Sequence, residues 1–131
     1  MAEAFFNAYC HPECARAISA GTAPADEIDP NVLVAMREIQ FDLASQRPKR
    51  LTADLVQEVQ SVITMGCGDD PAVHGVRREE WPIDDPHGAS LDDVRRIRDD
   101  LKRRVWKLVV REGWVRLQPR ALMTRSRLGK P

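Results

Sequence analysis

Two loops carry the side chains of this sequence that are best suited to chemistry. The first loop contains Asp85, in the run Asp-Asp-Pro-His-Gly at residues 84–88. An aspartate before a proline is usually a turn former, because its side chain can bond to the backbone two residues on. A carboxyl group at a loop tip can also act as a general acid that protonates a leaving oxygen. The residues alone leave both interpretations of Asp85 open.

The second loop contains Cys67, which lies between Gly66 and Gly68 directly after a β-branched run. Flanking glycines allow the backbone to approach another group closely, which suits a reacting thiol. A structural cysteine, in contrast, is buried and inert. Cys67 is therefore either a redox or nucleophilic thiol or an unreactive packing residue.

The elements that must position these loops begin with three predicted strands. A short apolar run predicts a strand over residues 16–21, and a β-branched run predicts one over 61–65. Residues 77–83 could form another strand. The second strand leads into the loop of Cys67, and the third leads into the loop of Asp85. Ligands of open parallel sheets bind at the carboxyl ends of the strands. We therefore expect both loops at the same edge of one sheet.

Helical spacing of apolar residues predicts four helices around that sheet. The first helix begins at the first residue without a capping side chain. Asp29, followed by Pro30, begins the second helix, and Thr52 begins a short third one. Ser90 begins the last helix and Gly113 ends it; its predicted buried stripe consists of Val94, Ile97, Leu101, Val105 and Leu108. Strands that alternate with helices predict an α/β fold with a small parallel sheet flanked by helices.

The length predicts one domain, assigned to residues 1–113, because the basic residues after Gly113 have no acidic partner and form a basic C-terminal tail at 114–131. The chain of 131 residues carries 20 basic and 20 acidic side chains, so its net charge indicates neither a nucleic-acid nor a membrane partner. The tail is interpreted as solvated, with an RNA, DNA or anionic-lipid contact as the alternative. Three cysteines, no apolar run of membrane length and no signal peptide predict a cytoplasmic protein.

The two loops and the last helix together resemble the thiol-dependent arsenate reductases, which share the fold of the low-molecular-weight protein tyrosine phosphatases. The matching runs are Ile-Thr-Met-Gly-Cys-Gly-Asp at 63–69, Trp-Pro-Ile-Asp-Asp-Pro-His-Gly at 81–88 and Val-Arg-Arg-Ile-Arg-Asp-Asp-Leu at 94–101. Residues 1–5 resemble the helix that follows the family's phosphate-binding loop, and residues 19–22 resemble its second strand. The resemblance extends over residues 1–113, and the lack of paired tyrosines after Pro86 favours the reductase branch.

This resemblance implies a four-stranded parallel sheet and the reduction of arsenate to arsenite by cysteine thiols. Asp85 would be the general acid. Cys67 would be the thiol that attacks the first cysteine of the arsenic adduct in members with an internal relay. No cofactor is implied. Arsenate or a similar oxyanion would be the substrate, and a small thiol or a redoxin would supply the electrons.

The sequence departs from the family's pattern in two places. The family's nucleophile lies in a Cys-x5-Arg-Ser loop between the first strand and the first helix, and no such run occurs in this sequence. We therefore expect a truncated chain that lacks this strand and loop and is inactive as given. The relay's later cysteine is also missing beside Pro71. The alternatives are a degenerate, non-catalytic binding or regulatory module and a relative of the tyrosine phosphatases.

Cys10 and Arg16 have the Cys-x5-Arg spacing but not its setting. The segment follows a predicted helix instead of a strand and contains no glycine. Pro12 removes an N–H donor that an anion loop would need. Glu13 would repel an anion. We therefore do not expect an anion-binding loop at residues 10–16.

A zinc site is the other use that this segment could have. Cys10, His11 and Cys14 could join Cys67 or His74 around the ion. No paired Cys-x2-Cys spacing supports that arrangement. The sequence therefore predicts no metal site.

Overall fold

Four helices and two strands are formed by residues 1–66 and 73–116, which are the residues that the computed structural model describes. In chain order they are helices α1 (Ala2–Tyr9), α2 (Pro30–Glu38) and α3 (Ala53–Gln57), strands β1 (Ser61–Thr64) and β2 (Arg77–Glu80), and helix α4 (Leu91–Glu112). The predicted α/β fold with a small parallel sheet and helices is confirmed. The division into a domain at 1–113 and a tail at 114–131 stays a prediction.

The three helix starts for which the sequence supplies a cap are capped by the expected side chains. Asp29, Thr52 and Ser90 each accept a backbone N–H of the first helical turn, at 2.9, 3.1 and 3.2 Å respectively. Gly113 ends α4 with a φ of 75°, a left-handed conformation that glycine adopts without strain. The start of α1 has no side-chain cap. Local sequence therefore decides where these helices begin.

The two strands are parallel neighbours, with Ser61 opposite Arg77 and Thr64 opposite Glu80. The Trp81 N–H donates to the Thr64 carbonyl at 2.8 Å and continues the pairing beyond β2. Both strands therefore end at the same edge of the sheet, as predicted. They are shorter than predicted, and the described part of the chain forms two strands where the resemblance implied four.

The strand predicted over residues 16–21 is wrong. This segment has a side-chain partner at Ala17 and a single isolated bridge at Gly21 instead of a neighbouring strand. The Asn7 side chain donates to the Ala17 carbonyl at 3.0 Å and accepts from the Ala17 N–H at 2.8 Å. Gly21 forms an isolated parallel bridge with Arg50. A polar side chain of α1 thus binds the backbone groups that a neighbouring strand would use.

The core lies between α4 and the two helices α1 and α2. Its fully buried side chains include Phe5 of α1, Met36 of α2, and Val94, Val105 and Val109 of α4. No helix within residues 1–66 and 73–116 has the length and apolar character needed to cross a bilayer. Packing of α1 and of α2 against α4 therefore holds the frame to which the two loops are attached.

The buried face of α4 differs from the predicted stripe. Ile97 and Leu108 are only partly buried, whereas Arg98 is 8% exposed. The Arg98 guanidinium donates to the Ala35 carbonyl at 2.8 Å and to Glu38 Oε1 at 2.9 Å. Arg98 Nε also donates to Asp99 Oδ1 at 2.9 Å. A buried charge is tolerated here because α2 and the neighbouring Asp99 supply these acceptors.

Candidate active site

Asp85 lines a cavity of about 500 Å³ beyond the carboxyl end of β2. Four parts of the chain form the wall of this cavity: the start of α1, residues 23–28, the first turn of α2 and the loop at 84–88. The lining residues are Met1, Ala23, Ala25, Glu27, Ile28, Asp29, Val32, Asp85, Pro86 and His87. The candidate acid therefore faces a space that a small substrate could enter.

The Asp85 carboxylate is exposed on the cavity wall and forms a turn within its own loop. Its Oδ1 accepts from the His87 N–H at 2.9 Å, the local bond expected of an aspartate in a turn. This bond directs the carboxyl group without enclosing it. The turn-forming and acid interpretations of Asp85 are therefore compatible with each other.

The first turn of α2 anchors the loop of Asp85. The Gly88 N–H donates to Asp29 Oδ2 at 3.1 Å, and the Asn31 side-chain amide donates to the Ala89 carbonyl at 3.0 Å. Asp29 Oδ1 meanwhile caps α2. One aspartate therefore joins the start of α2 to the loop that carries the candidate acid.

Asp29 stays ionised at this junction. The hydrogen bond from Gly88 is the main cause that lowers the pKa of the Asp29 carboxyl below its ordinary value, and the cap bond and nearby His87 add to it. His87 Nδ1 is 3.7 Å from Asp29 Oδ2. Sequence analysis identified Asp29 only as a cap. Its contact with Gly88 has no local signal, because 59 positions separate the two residues.

The start of α1 reaches the same cavity through Met1. Its first turn has no side-chain cap, so no side chain takes up the N–H groups there. Such a helix end favours a nearby anion. Glu27 and Asp29 also line the cavity, however, and their carboxylates would repel an anion. An oxyanion here therefore needs cationic or N–H donors beyond those of α1.

Cys67, the second sequence-predicted residue, lies outside the described residues. The described chain ends beside it at Gly66, whose φ is 74°. A Cβ added at Gly66 would lie 3.3 Å from the Ile83 carbonyl oxygen. The segment that leads into Cys67 therefore passes close to the segment that leads into Asp85. The reactivity of Cys67 stays a prediction.

The Cys10 segment does not form an anion loop. Cys10 is 1% exposed at the end of α1, and its Sγ donates to the His11 and Ala15 carbonyls, both at 3.4 Å. Burial raises the pKa of the Cys10 thiol, the opposite of what a nucleophilic thiolate needs. Arg16 is exposed. Among residues 1–66 and 73–116, no group of three or more histidine, cysteine or acidic side chains is placed to hold a metal ion.

Comparison with known proteins identifies relatives over most of the chain. The sequence model of the family described as Low molecular weight phosphotyrosine protein phosphatase matches residues 1–118. Arsenate reductase 1 of Bacillus cereus is 30% identical over 112 residues, which are 82% of this chain and 81% of the relative. A relative from Halobacterium salinarum is 37% identical over 91 residues, which are 67% of this chain and only 63% of the relative's own length. The structure of a thioredoxin-dependent arsenate reductase from Corynebacterium glutamicum, 31% identical, superposes with a TM-score of 0.66 over 82% of this chain and 51% of that one.

Proposed function

The chain belongs to the low molecular weight phosphotyrosine protein phosphatase family, and from this premise we propose that it is the acid-bearing part of an arsenate reductase. The reaction is the reduction of arsenate to arsenite by cysteine thiols. The observation that carries the proposal is the cavity in which the start of α1 meets Asp85. The similarity to the Bacillus cereus arsenate reductase supports arsenate as the substrate.

Asp85 acts in the first step as the proton donor. A thiolate attacks arsenic, an arsenic–oxygen bond breaks, and the proton of Asp85 allows the leaving oxygen to depart as water. The exposed position of Asp85 and its bond to the His87 N–H support this role, because the carboxyl group is both oriented and accessible. Asp29 positions the loop through Gly88.

The attacking thiolate belongs to a Cys-x5-Arg-Ser loop, which the sequence of 131 residues does not contain. The proposal therefore concerns a protein in which such a loop is joined to this domain ahead of α1. The N–H groups and the arginine of that loop would offset the charges of Glu27 and Asp29. Residues 1–131 alone are expected to be inactive.

Cys67 acts in the second step as the resolving thiol. Its sulfur attacks the sulfur that is bonded to arsenic, and a disulfide forms. The two electrons of the broken sulfur–arsenic bond stay with arsenic, which leaves as arsenite. No further cysteine follows in residues 68–71, so a small thiol or a redoxin must reduce the disulfide. The thioredoxin-dependent relative supports a redoxin partner, and this chemistry suits the reducing cytoplasm.

The description of the matching family favours a second candidate, the hydrolysis of phosphotyrosine. A phosphatase would use Asp85 in the same way, with phosphate ester in place of arsenate. It would need neither Cys67 nor a reductant. A non-catalytic binding module is the remaining alternative, and it predicts neither reaction.

The test uses the native protein isolated from its own cells, with its N-terminal sequence and intact mass determined first. We expect arsenite release that depends on a thiol or on thioredoxin with its reductase, and C67S should abolish it. C14S is the matched control, because Cys14 is exposed and lies outside the cavity wall; it should keep the activity. Aryl phosphate hydrolysis without arsenite release would establish the phosphatase instead. If the native protein shows neither activity, both catalytic proposals are wrong and the non-catalytic binding module is the remaining alternative.

A further inference from the structure

A second cavity lies between β2 and the C-terminal half of α4. Its volume is about 500 Å³, and its described lining residues are all different from those of the cavity at Asp85. We call it the α4 groove and define it by Glu79, Asp100, Arg103, Lys107 and Arg111, with Trp81 and Leu108 as apolar parts of its wall. The reaction proposed above makes no use of these side chains.

The α4 groove has an excess of positive charge. Four basic side chains of α4 line it, namely Arg103, Arg104, Lys107 and Arg111, whereas Glu79 and Asp100 are its two carboxylates. Arg103, Lys107 and Arg111 follow one another at intervals of four residues, so they form one row along the helix. With the rise of about 1.5 Å per helical residue, that row is roughly 12 Å long at the backbone.

Ion pairs hold the two ends of the row. At one end, Asp100 accepts from Arg104 Nε at 3.1 Å and from Arg103 Nη2 at 3.4 Å. At the other end, Glu79 accepts from Arg111 Nη2 at 3.0 Å. The Arg103 and Arg111 side chains are 69% and 52% exposed, and exposed pairs of this kind contribute little to stability. Arg111 Nε is also 3.5 Å from Glu112 Oε1. An anionic ligand would therefore compete with these carboxylates for Arg103 and Arg111, at a small cost for each exposed pair.

Lys107 lies in the middle of the row. It is exposed, and it forms no hydrogen bond or ion pair with any residue of 1–66 or 73–116. Glu79 cannot readily be protonated to relieve its own charge, because Arg111 first and the Trp81 indole second lower the pKa of its carboxyl by hydrogen bonding. The side chain left to attract an added anion is thus Lys107, with an arginine on either side.

We propose that the α4 groove binds a small polyphosphate anion, with Lys107 as its central contact and Arg103 and Arg111 on either side. Lysine binds phosphate as a point charge, and arginine binds it through two parallel N–H groups. A single phosphate can engage only part of this row, whereas linked phosphoryl groups can engage its middle and both ends together. Trp81, which is 5% exposed, and Leu108 give the groove a fixed apolar wall.

The test is calorimetric titration of the full 131-residue chain with inorganic tripolyphosphate at about 0.15 M salt, where exposed charges are well screened. K107Q should weaken binding by about tenfold, the loss of one charge-assisted contact. K102Q is the matched control: Lys102 is an exposed lysine of the same helix that does not line the groove, and its loss should leave binding unchanged. Melting curves of both variants check that each is folded.

Three results would overturn the proposal. The first is no measurable binding of tripolyphosphate by the unmodified chain. The second is an equal loss of binding in K107Q and K102Q, which would indicate a general attraction to the charge of α4. The third is sulfate binding as tight as tripolyphosphate binding, which would exclude a site for linked phosphoryl groups. Neither the probe nor the variants involve Asp85 or Cys67, so the outcome is independent of the proposed reductase activity.

Discussion

Replacing Asp29 with alanine should destabilise α2 and release the loop of Asp85. The Asp29 side chain is 14% exposed and accepts from Asn31 at 2.9 Å and from Gly88 at 3.1 Å. Loss of the helix cap costs about 1 kcal/mol. Loss of the bond to Gly88 costs about 1 kcal/mol more. We therefore expect D29A to lower the free energy of unfolding by about 2 kcal/mol and the Tm by roughly 8 °C.

The two contacts of Asp29 can be separated by D29N. Asparagine caps a helix as well as aspartate does, but it has only one acceptor oxygen for two N–H groups. D29N should therefore lose about 1 kcal/mol, roughly half the loss in D29A. Urea unfolding measures both values. D26A is the matched control, because Asp26 is an exposed aspartate of the same segment, and it should change little.

Hydrogen exchange of individual amides tests the same reasoning directly. In D29N the Gly88 amide should exchange faster while the Asn31 amide stays protected, and in D29A both should exchange faster. The reasoning is refuted if D29A loses less than about 0.5 kcal/mol, the usual range of a neutral surface substitution. Unchanged exchange at Gly88 in D29A would refute it as well.

The lowered pKa of Asp29 adds a dependence on pH. A carboxyl whose pKa is lower in the folded state stabilises the fold fully above its ordinary value of 3.8. That contribution is lost as the pH falls through the lower folded-state pKa. The difference in unfolding free energy between the unmodified chain and D29A should therefore be largest near neutral pH and should shrink in strong acid. A difference that grows on acidification would contradict the assigned direction.

Two further predictions concern the helix contacts and the loop junction. R98M should lower the free energy of unfolding by about 2 kcal/mol, because the Ala35 carbonyl loses its buried partner; R96M, which changes an exposed arginine, should have little effect in the same urea titration. An equal loss in both variants would contradict this view of Arg98. G66A should destabilise the protein more than G75A in thermal unfolding. Both glycines have a positive φ, at 74° and 82°, but only the Cβ at position 66 would meet a nearby atom, the Ile83 carbonyl oxygen. Equal melting temperatures would show that the approach to Ile83 is not tight.

Helix caps were predictable from the sequence because they depend on neighbouring residues. Asp29, Thr52 and Ser90 each bond to an N–H two or three positions away, so their residue types and the following pattern were sufficient. The shared edge of the two strands followed in the same way from the rule for parallel sheets. The carboxyl ends of both strands could thus be assigned to one side of the domain from the sequence.

Contacts between residues far apart in the chain could not be predicted. The strand expected at 16–21 failed because Asn7 of α1 binds both backbone groups of Ala17. Arg98 was not expected in the core, because its acceptors on α2 are 60 or more positions away. The bond between Asp29 and Gly88 is of the same kind. Local periodicity carries no information on such partners, so the anchoring of the acid loop appeared only in the structure.

The proton-donor role of Asp85 can be tested most directly by comparing D85N with D84N in the native protein. Asp84 is also an exposed aspartate in the same loop, but it does not line the cavity. The kcat for arsenite release should fall about 10²-fold or more in D85N and stay unchanged in D84N, because loss of a general acid removes a factor of that size. An unchanged kcat in D85N, or an equal fall in both variants, would contradict the account.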